Sequence, residues 1–262
     1  MTEDRYGDLR ESDPGESVTS VSRVRSAKRR TNEYVVLDST WARHLGVRRS
    51  GGMYRIARRR LMDRLKELAR IPMQGGGDLT ANVDLHSHSV GFYETEEYLV
   101  DSVREFLTPG LHAGDVAIVV ANDAHRDSVD RALMAAGIDL LQARGCGRYL
   151  ALDASEALAT FMVDGRPDAA RFQTTIGQLV SRALESTHDV RIYGEMVAVL
   201  WEEGNVAAAI ALEDLWNDLA TRHPFSLFCA YPMRAFDTDA SAEGYRTICG
   251  QHSTVLLQDQ GT

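Results

Sequence analysis

The stretch Arg191-Ile-Tyr-Gly-Glu-Met-Val-Ala-Val-Leu-Trp201 decides the fold. Residues 190–193 read as a buried strand, Gly194-Glu195 stands where that strand ends, and a mostly apolar helical run, 196–201, follows at once. In open α/β sheets, ligands bind in the crevice at the carboxyl ends of the strands, so Glu195 is placed to face a site. The plainer alternative is that Glu195 caps the next helix, since acids are favoured in a first helical turn.

The same alternation extends outward in both directions. Strands are expected at 89–93, 115–121, 149–152 and 225–231. Helices are expected at 96–107, 125–136, 155–163, 169–185, 206–221 and 242–250, with Gly110-Leu-His-Ala-Gly114 as a turn into the second strand. Such alternation predicts an α/β domain of three layers, a mostly parallel sheet flanked by helices, over 84–255 with a tail at 256–262.

The first third of the chain is different in kind. Residues 1–32 are polar and charged with few large apolar residues, and are expected to be disordered. From 53 to 68, Tyr54, Ala57, Leu61, Leu65 and Leu68 fall at three- and four-residue steps on one helix face, and the other face is nearly all arginine and lysine. Pro72 and Gly75-Gly76-Gly77 then mark a linker at 72–83. The net charge of −9 hides an asymmetry: residues 21–71 carry fifteen Lys and Arg against four acids. A basic arm at 33–71 beside an acidic domain suits nucleic acid, an acidic partner or its own domain. Trp41-Ala-Arg-His-Leu-Gly-Val47 resembles the start of a helix-turn-helix, but Ser50-Gly51-Gly52 weakens any recognition helix there. Arg48, Arg49, Arg55, Arg58 and Arg59 are the candidate phosphate contacts.

Several chemistries are excluded or weak. No Gly-x-x-x-x-Gly-Lys-Ser/Thr, Gly-x-Gly-x-x-Gly or Gly-x-Ser-x-Gly occurs, which leaves nucleotide hydrolysis, dinucleotide chemistry and a hydrolase elbow unsupported. Cys146, Cys229 and Cys249 show no CxxC spacing. No apolar run approaches a membrane span and the acidic, polar first residues show no charged-then-apolar signal pattern, so a cytoplasmic protein is expected. Asp84-Leu-His-Ser-His88 resembles the opening motif of PHP-type phosphoesterases. His86 and His88 on an extended chain would point to one side and share a metal. The histidines that follow, His112, His125, His188, His223 and His252, lie in no Asp-His or His-x-His setting. On the last strand Cys229 and Tyr231 share a face, and adjacency to 190–193 would bring them to Glu195, with Tyr93 completing a pocket. A buried cysteine is more often just a small apolar residue. His88, Glu213 and His252 read more simply as capped or solvated polar residues.

His88-Ser-Val-Gly-Phe-Tyr93, the Gly-Leu-x-x-Gly-Asp run at 110–115, Phe161-Met-Val-Asp-Gly-Arg-Pro-Asp168, Gly194-Glu-Met-Val-Ala-Val-Leu-Trp201, Leu212-Glu-Asp-Leu-Trp216 and Phe225-Ser-Leu-Phe-Cys-Ala-Tyr231 recur in order. Together they resemble the MEDS domain, a methanogen and methylotroph sensory domain. The resemblance covers about 84–255. It implies a RecA/clock-ATPase-like core without a phosphate loop and a signalling role without catalysis. Such domains occur alone or joined to DNA-binding, histidine-kinase or anti-sigma modules, and a hydrocarbon-derived small molecule is the implied ligand. The match carries His88, Tyr93, Glu195 and Cys229 over as family-pattern positions. Residues 1–80 match no output module.

The expected function is therefore a ligand-responsive signalling protein acting in transcriptional control, with an effector near His88, Tyr93, Glu195, Cys229 and Tyr231. No catalytic residue, cofactor or metal is expected. A signalling protein, DNA through the basic arm and a second copy of the chain are the candidate partners, and no membrane is. Two alternatives stand: an interaction module of a kinase or anti-sigma pathway without ligand, and a metal-dependent phosphoesterase built on His86 and His88.

Overall fold

In the computed structural model the described residues are 34–38, 86–186, 189–236 and 241–258. The expected disordered segment 1–32, the basic helix 53–68, the helix-turn-helix-like 41–47, the linker 72–83 and all five candidate arginines lie outside them.

The strands in chain order are β1 (Tyr34–Asp38), β2 (His88–Tyr93), β3 (Val116–Ala121), β4 (Tyr149–Asp153), β5 (Met162–Val163), β6 (Arg166–Pro167), β7 (Val190–Gly194), β8 (Ser226–Pro232) and β9 (Thr254–Gln258). The helices are α1 (Glu96–Ala113), α2 (Asp123–Ala135), α3 (Leu140–Gly145), α4 (Ala154–Phe161), α5 (Ala169–Phe172), α6 (Gln178–Ser186), α7 (Met196–Glu202), α8 (Val206–Ala220) and α9 (Ser241–Gln251). A π-helical turn, Gln173–Gly177, joins α5 to α6. β5 and β6 form a separate hairpin, and the other seven strands form one sheet in the order β1-β9-β2-β8-β7-β3-β4. Every neighbouring pair is parallel except β1 with β9.

The sequence explains why these strands are central. β2, β3 and β8 are buried along their whole length, as parallel strands covered on both faces must be. Alternate residues then feed two separate cores. Val90, Phe92, Ile118, Ile192, Leu227 and Cys229 pack on one face, under α4 to α9. Ala117, Val119, Tyr193, Phe228 and Ala230 pack on the other, under α1, α2 and α3. This is the expected three-layer α/β architecture.

Four local expectations are corrected. The run Gly110 to Gly114 is not a turn: α1 continues to Ala113 and ends at Gly114, whose φ of 93° lets its N–H reach the Gly110 and Leu111 carbonyls. Pro109 removes only one donor from that helix, and the Arg191 guanidinium donates to the nearby Phe106 carbonyl at 3.1 Å. The expected helix 155–163 stops at Phe161, because Asp164 and Gly165 both take positive φ (49° and 75°) and close the β5-β6 hairpin. The expected tail 256–262 begins inside β9. That strand lies beside β2 and receives β1, so the segment expected as a basic helical arm contributes an edge strand.

Connections place the site. β3 leads through α2 to β4 on its outer side, whereas β7 leads through α7 and α8 to β8 on the other side. The two adjacent strands thus send their helices to opposite faces in opposite directions. A crevice opens at the carboxyl ends of such a pair.

Candidate functional site

Glu195 follows β7 directly and lies at that crevice. Its N–H donates to the Val120 carbonyl at 2.8 Å, which carries the β3-β7 ladder one residue past the strand. Its carboxylate makes no capping bond to α7, so the capping alternative does not hold. It crosses instead to the end of β3. Oε2 accepts from the backbone N–H and the side-chain amide of Asn122, at 3.1 and 3.0 Å. Oε1 accepts from the Tyr193 hydroxyl at 2.6 Å and from His125 Nδ1. Glu195 is only 4% exposed, so these donors replace the water it gives up.

Asn122 and His125 are set by the start of α2. Asn122 is the N-cap, and its side-chain oxygen accepts the His125 N–H at 2.9 Å. That fixes the His125 ring between two carboxylates, Glu195 on Nδ1 and Glu96 on Nε2. Carboxylates only accept, so both ring nitrogens carry protons. Burial alone would lower the His125 pKa, but the bonds and charges of Glu195 and Glu96 outweigh it and push it up to about 9. Glu96, in the first turn of α1, is exposed, so the chain Glu96–His125–Glu195 runs from solvent to the buried acid. Tyr93 ends β2 nearby. Burial first, then the charges of Glu195 and Glu96, hold its phenol well above the usual range.

His88, Cys229 and Tyr231 do not join Glu195. β7 and β8 are adjacent, with Gly194 opposite Cys229, but the pleat turns Cys229 and Tyr231 to the other face. There α8 presents Glu213, fully buried on the helix face that also buries Ala209, Leu212 and Trp216. The Tyr231 hydroxyl donates to Glu213 Oε1 at 2.7 Å. Around Glu213 Oε2 stand His88 Nε2 at 3.3 Å, His252 Nε2 at 3.4 Å and the Cys229 thiol at 3.7 Å. Cys229 Sγ also lies 3.4 Å from His88 Nε2, and the two imidazole rings are 4.0 Å apart. Burial alone would raise the Glu213 carboxyl; the neighbouring His252 and His88 outweigh it and hold it well below the usual range. Burial pushes His88 down, and burial with the Glu213 charge pushes the Cys229 thiol up.

His86 stands apart from this group. Its φ of 81° turns the chain before β2, so the extended geometry that would set His86 and His88 on one side is absent. His86 is exposed and its N–H donates to Ser226 Oγ at 3.2 Å. Both histidines do line a cavity of about 260 Å³ at the amino ends of β2 and β8, together with Trp216, Asn217, Phe225 and Ser253.

Glu96, Asn122, His125 and Tyr193 were not singled out from the sequence. One signal was available: Asn122 follows the buried strand β3 just as Glu195 follows β7, and a polar cap after a buried strand marks the same edge of the sheet.

The family model of the methanogen/methylotroph, DcmR sensory domain, MEDS, matches residues 87–247, more than half of the 262 residues. This chain belongs to the MEDS family. The match spans β2 through most of α9 and includes both constellations except His252. The MEDS assignment gives the chain a sensory, signalling character. A comparison with curated proteins finds no match. Among the described residues, no helix is long and apolar enough to cross a membrane.

Proposed function

We propose that this MEDS protein is a non-catalytic, cytoplasmic regulator whose sensory domain binds a small molecule at the crevice between β3 and β7. The observation that carries this reading is the buried Glu195 carboxylate at the point where the strand connections diverge, reached from solvent through His125. An effector with an amine or hydroxyl head takes over the position of the His125 imidazolium, and the Tyr93 ring bounds it. Displacing His125 frees the start of α2 and the Glu96 end of α1, which are the surfaces a signalling partner reads. The ligand shifts that equilibrium only by its differential affinity for the two states.

Native mass spectrometry of the full-length protein tests the reading. A retained organic mass that is lost in Glu195→Gln and reduced in Tyr93→Ala supports it. A folded protein in which no retained or screened compound responds to either substitution refutes it. The same spectra report whether the chain pairs with a second copy.

A second reading, an interaction module without a ligand, is favoured by how completely the crevice groups satisfy one another. It predicts partner binding that is indifferent to Glu195→Gln. Transcriptional control through the basic arm has its own test. DNA affinity then falls steeply with salt and disappears when 21–71 are deleted.

A further inference from the structure

We propose that His88, Glu213, Cys229 and His252 hold one divalent transition-metal ion, with zinc the best match to the donors. One donor atom from each side chain lies within 4.8 Å of all the others, and all four residues are buried.

Hydrogen bonding fixes which ring nitrogens face the centre. His252 Nδ1 lies 2.6 Å from the Ile248 carbonyl, which only accepts, so that nitrogen carries the proton. His88 Nδ1 lies 2.9 Å from Asn217 Oδ1, and the Asn217 amide is oriented by donating to the Gln251 carbonyl at 3.1 Å. In the neutral rings both Nε2 atoms therefore present lone pairs to one carboxylate oxygen and one sulfur. Once the Cys229 thiol gives up the proton it directs at Glu213, four electron-pair donors converge among buried residues, and His252 Nε2 has no hydrogen-bond partner. A cation at the centre satisfies all of them.

Four of the six ligand separations match a tetrahedron, and the remaining two, from His252 to His88 and to Cys229, lie within 4.8 Å and close up on binding. Zinc bonds of about 2.0–2.1 Å to nitrogen or oxygen and about 2.3 Å to sulfur imply ligand separations of about 3.4 Å, or about 3.6 Å where sulfur is one partner. The observed separations are 3.3 and 3.4 Å from Glu213 Oε2 to the two imidazoles, and 3.4 and 3.7 Å from Cys229 Sγ to His88 and Glu213. Three of the four ligands have an outer partner too: Asn217, the Ile248 carbonyl and the Tyr231 hydroxyl hold His88, His252 and Glu213, which is how metal-binding histidines and carboxylates are usually oriented. Two nitrogens, one oxygen and one thiolate suit a borderline ion and not magnesium or calcium. The 260 Å³ cavity beside His88 and Asn217 gives an entry path.

Four protein donors leave no open coordination position, so the ion ties β2, α8, β8 and the α9-β9 connection together and hydrolyses nothing. This site shares no residue with the Glu195 crevice and lies on the other face of the sheet; either reading stands or falls without the other.

Metal-stripped, full-length protein titrated with Co²⁺ and then Zn²⁺ tests the proposal. The expected result is one Co²⁺ per chain, with the strong visible bands of a tetrahedral centre and a thiolate-to-cobalt charge-transfer band, all bleached by Zn²⁺. Cys229→Ser removes the charge-transfer band and Cys146→Ser keeps it. Tyr231→Phe leaves every ligand in place and weakens metal binding about 10- to 100-fold. Should Cys229→Ser fail to fold, the wild-type spectrum together with the Tyr231→Phe affinity decides. A folded wild-type chain that takes up neither ion, or a charge-transfer band that survives in folded Cys229→Ser, overturns the proposal.

Discussion

Tyr193 and Glu195 are joined across a single glycine: the phenol donates to Glu195 Oε1 at 2.6 Å. Residues two apart on a strand share a face, so both side chains turn toward α1 and α2. Gly194 between them is opposite Cys229, whose side chain turns to the other face. The two polar constellations therefore sit back to back across one sheet, separated by a single ladder position. Each has a buried carboxylate met by a tyrosine hydroxyl, Glu195 with Tyr193 and Glu213 with Tyr231.

Glu195→Gln keeps the shape of the side chain and removes its charge. The amide turns an N–H toward donors that now lack an acceptor, and the His125 imidazolium loses one of its two carboxylates. Leaving such buried groups unsatisfied costs about 1–3 kcal/mol. Urea denaturation should show the midpoint lowered with the slope unchanged, and an unaltered midpoint would contradict the bonding described here.

His125 gives stability a definite pH dependence. Its pKa is raised from 6.5 to about 9, so the folded state holds the proton more tightly than the unfolded chain. The associated stability is fully present below the unfolded value and is lost as pH rises through the folded one. The melting temperature of the wild type minus that of His125→Gln should therefore shrink between pH 6.5 and pH 9. A difference that stays constant across that window would show that the imidazolium is not held between Glu96 and Glu195.

Burial made the central strands legible. Val116-Ala-Ile-Val-Val-Ala121 leaves little choice but a strand covered on both faces, and Gly194-Glu195 marks its own strand end. What pairs with Glu195 was not legible, because Asn122 and His125 reach it only through the sheet order that sets β3 beside β7. No local pattern carries that order. β9 was missed for the same reason: Thr254–Gln258 is a short run that becomes a strand through partners far back in the chain, β2 and β1. Glu213 gave no local signal of its own, because the same helix also carries the acids Asp214 and Asp218. Its meaning depends on His252, which the chain brings to it only after α9.

Trp216 holds α8 to the sheet and to α5. Its ring is nearly perpendicular to Phe172 at 5.2 Å and meets Phe225 edge-on at 6.0 Å, and it is 1% exposed. Trp216→Ala removes that contact and leaves a cavity beside the Glu213 group, at a cost of about 3–5 kcal/mol. Chemical denaturation measures it, and a loss below 1 kcal/mol, the scale of a single methylene, would mean that α8 is held mainly by other contacts.

Gly91 is required for space and not for backbone freedom. It lies in the middle of β2, opposite Ala230, and a Cβ there would stand 2.8 Å from Cε2 and Cζ of Phe228. Phe228 is 2% exposed and wedged between the rings of Phe106, at 5.6 Å, and Tyr193, at 5.9 Å, so it has nowhere to retreat. Gly91→Ala should cost about 1–3 kcal/mol by overpacking. Strain passes through Phe228 to Tyr193, whose hydroxyl holds Glu195, so under the proposed function effector binding at the crevice should weaken alongside stability. Phe228→Leu opens the space, and the double variant should recover part of what Gly91→Ala loses. Two residues in direct contact couple in this way, whereas two independent defects would add. Strictly additive losses in the double variant would place the strain elsewhere in β2.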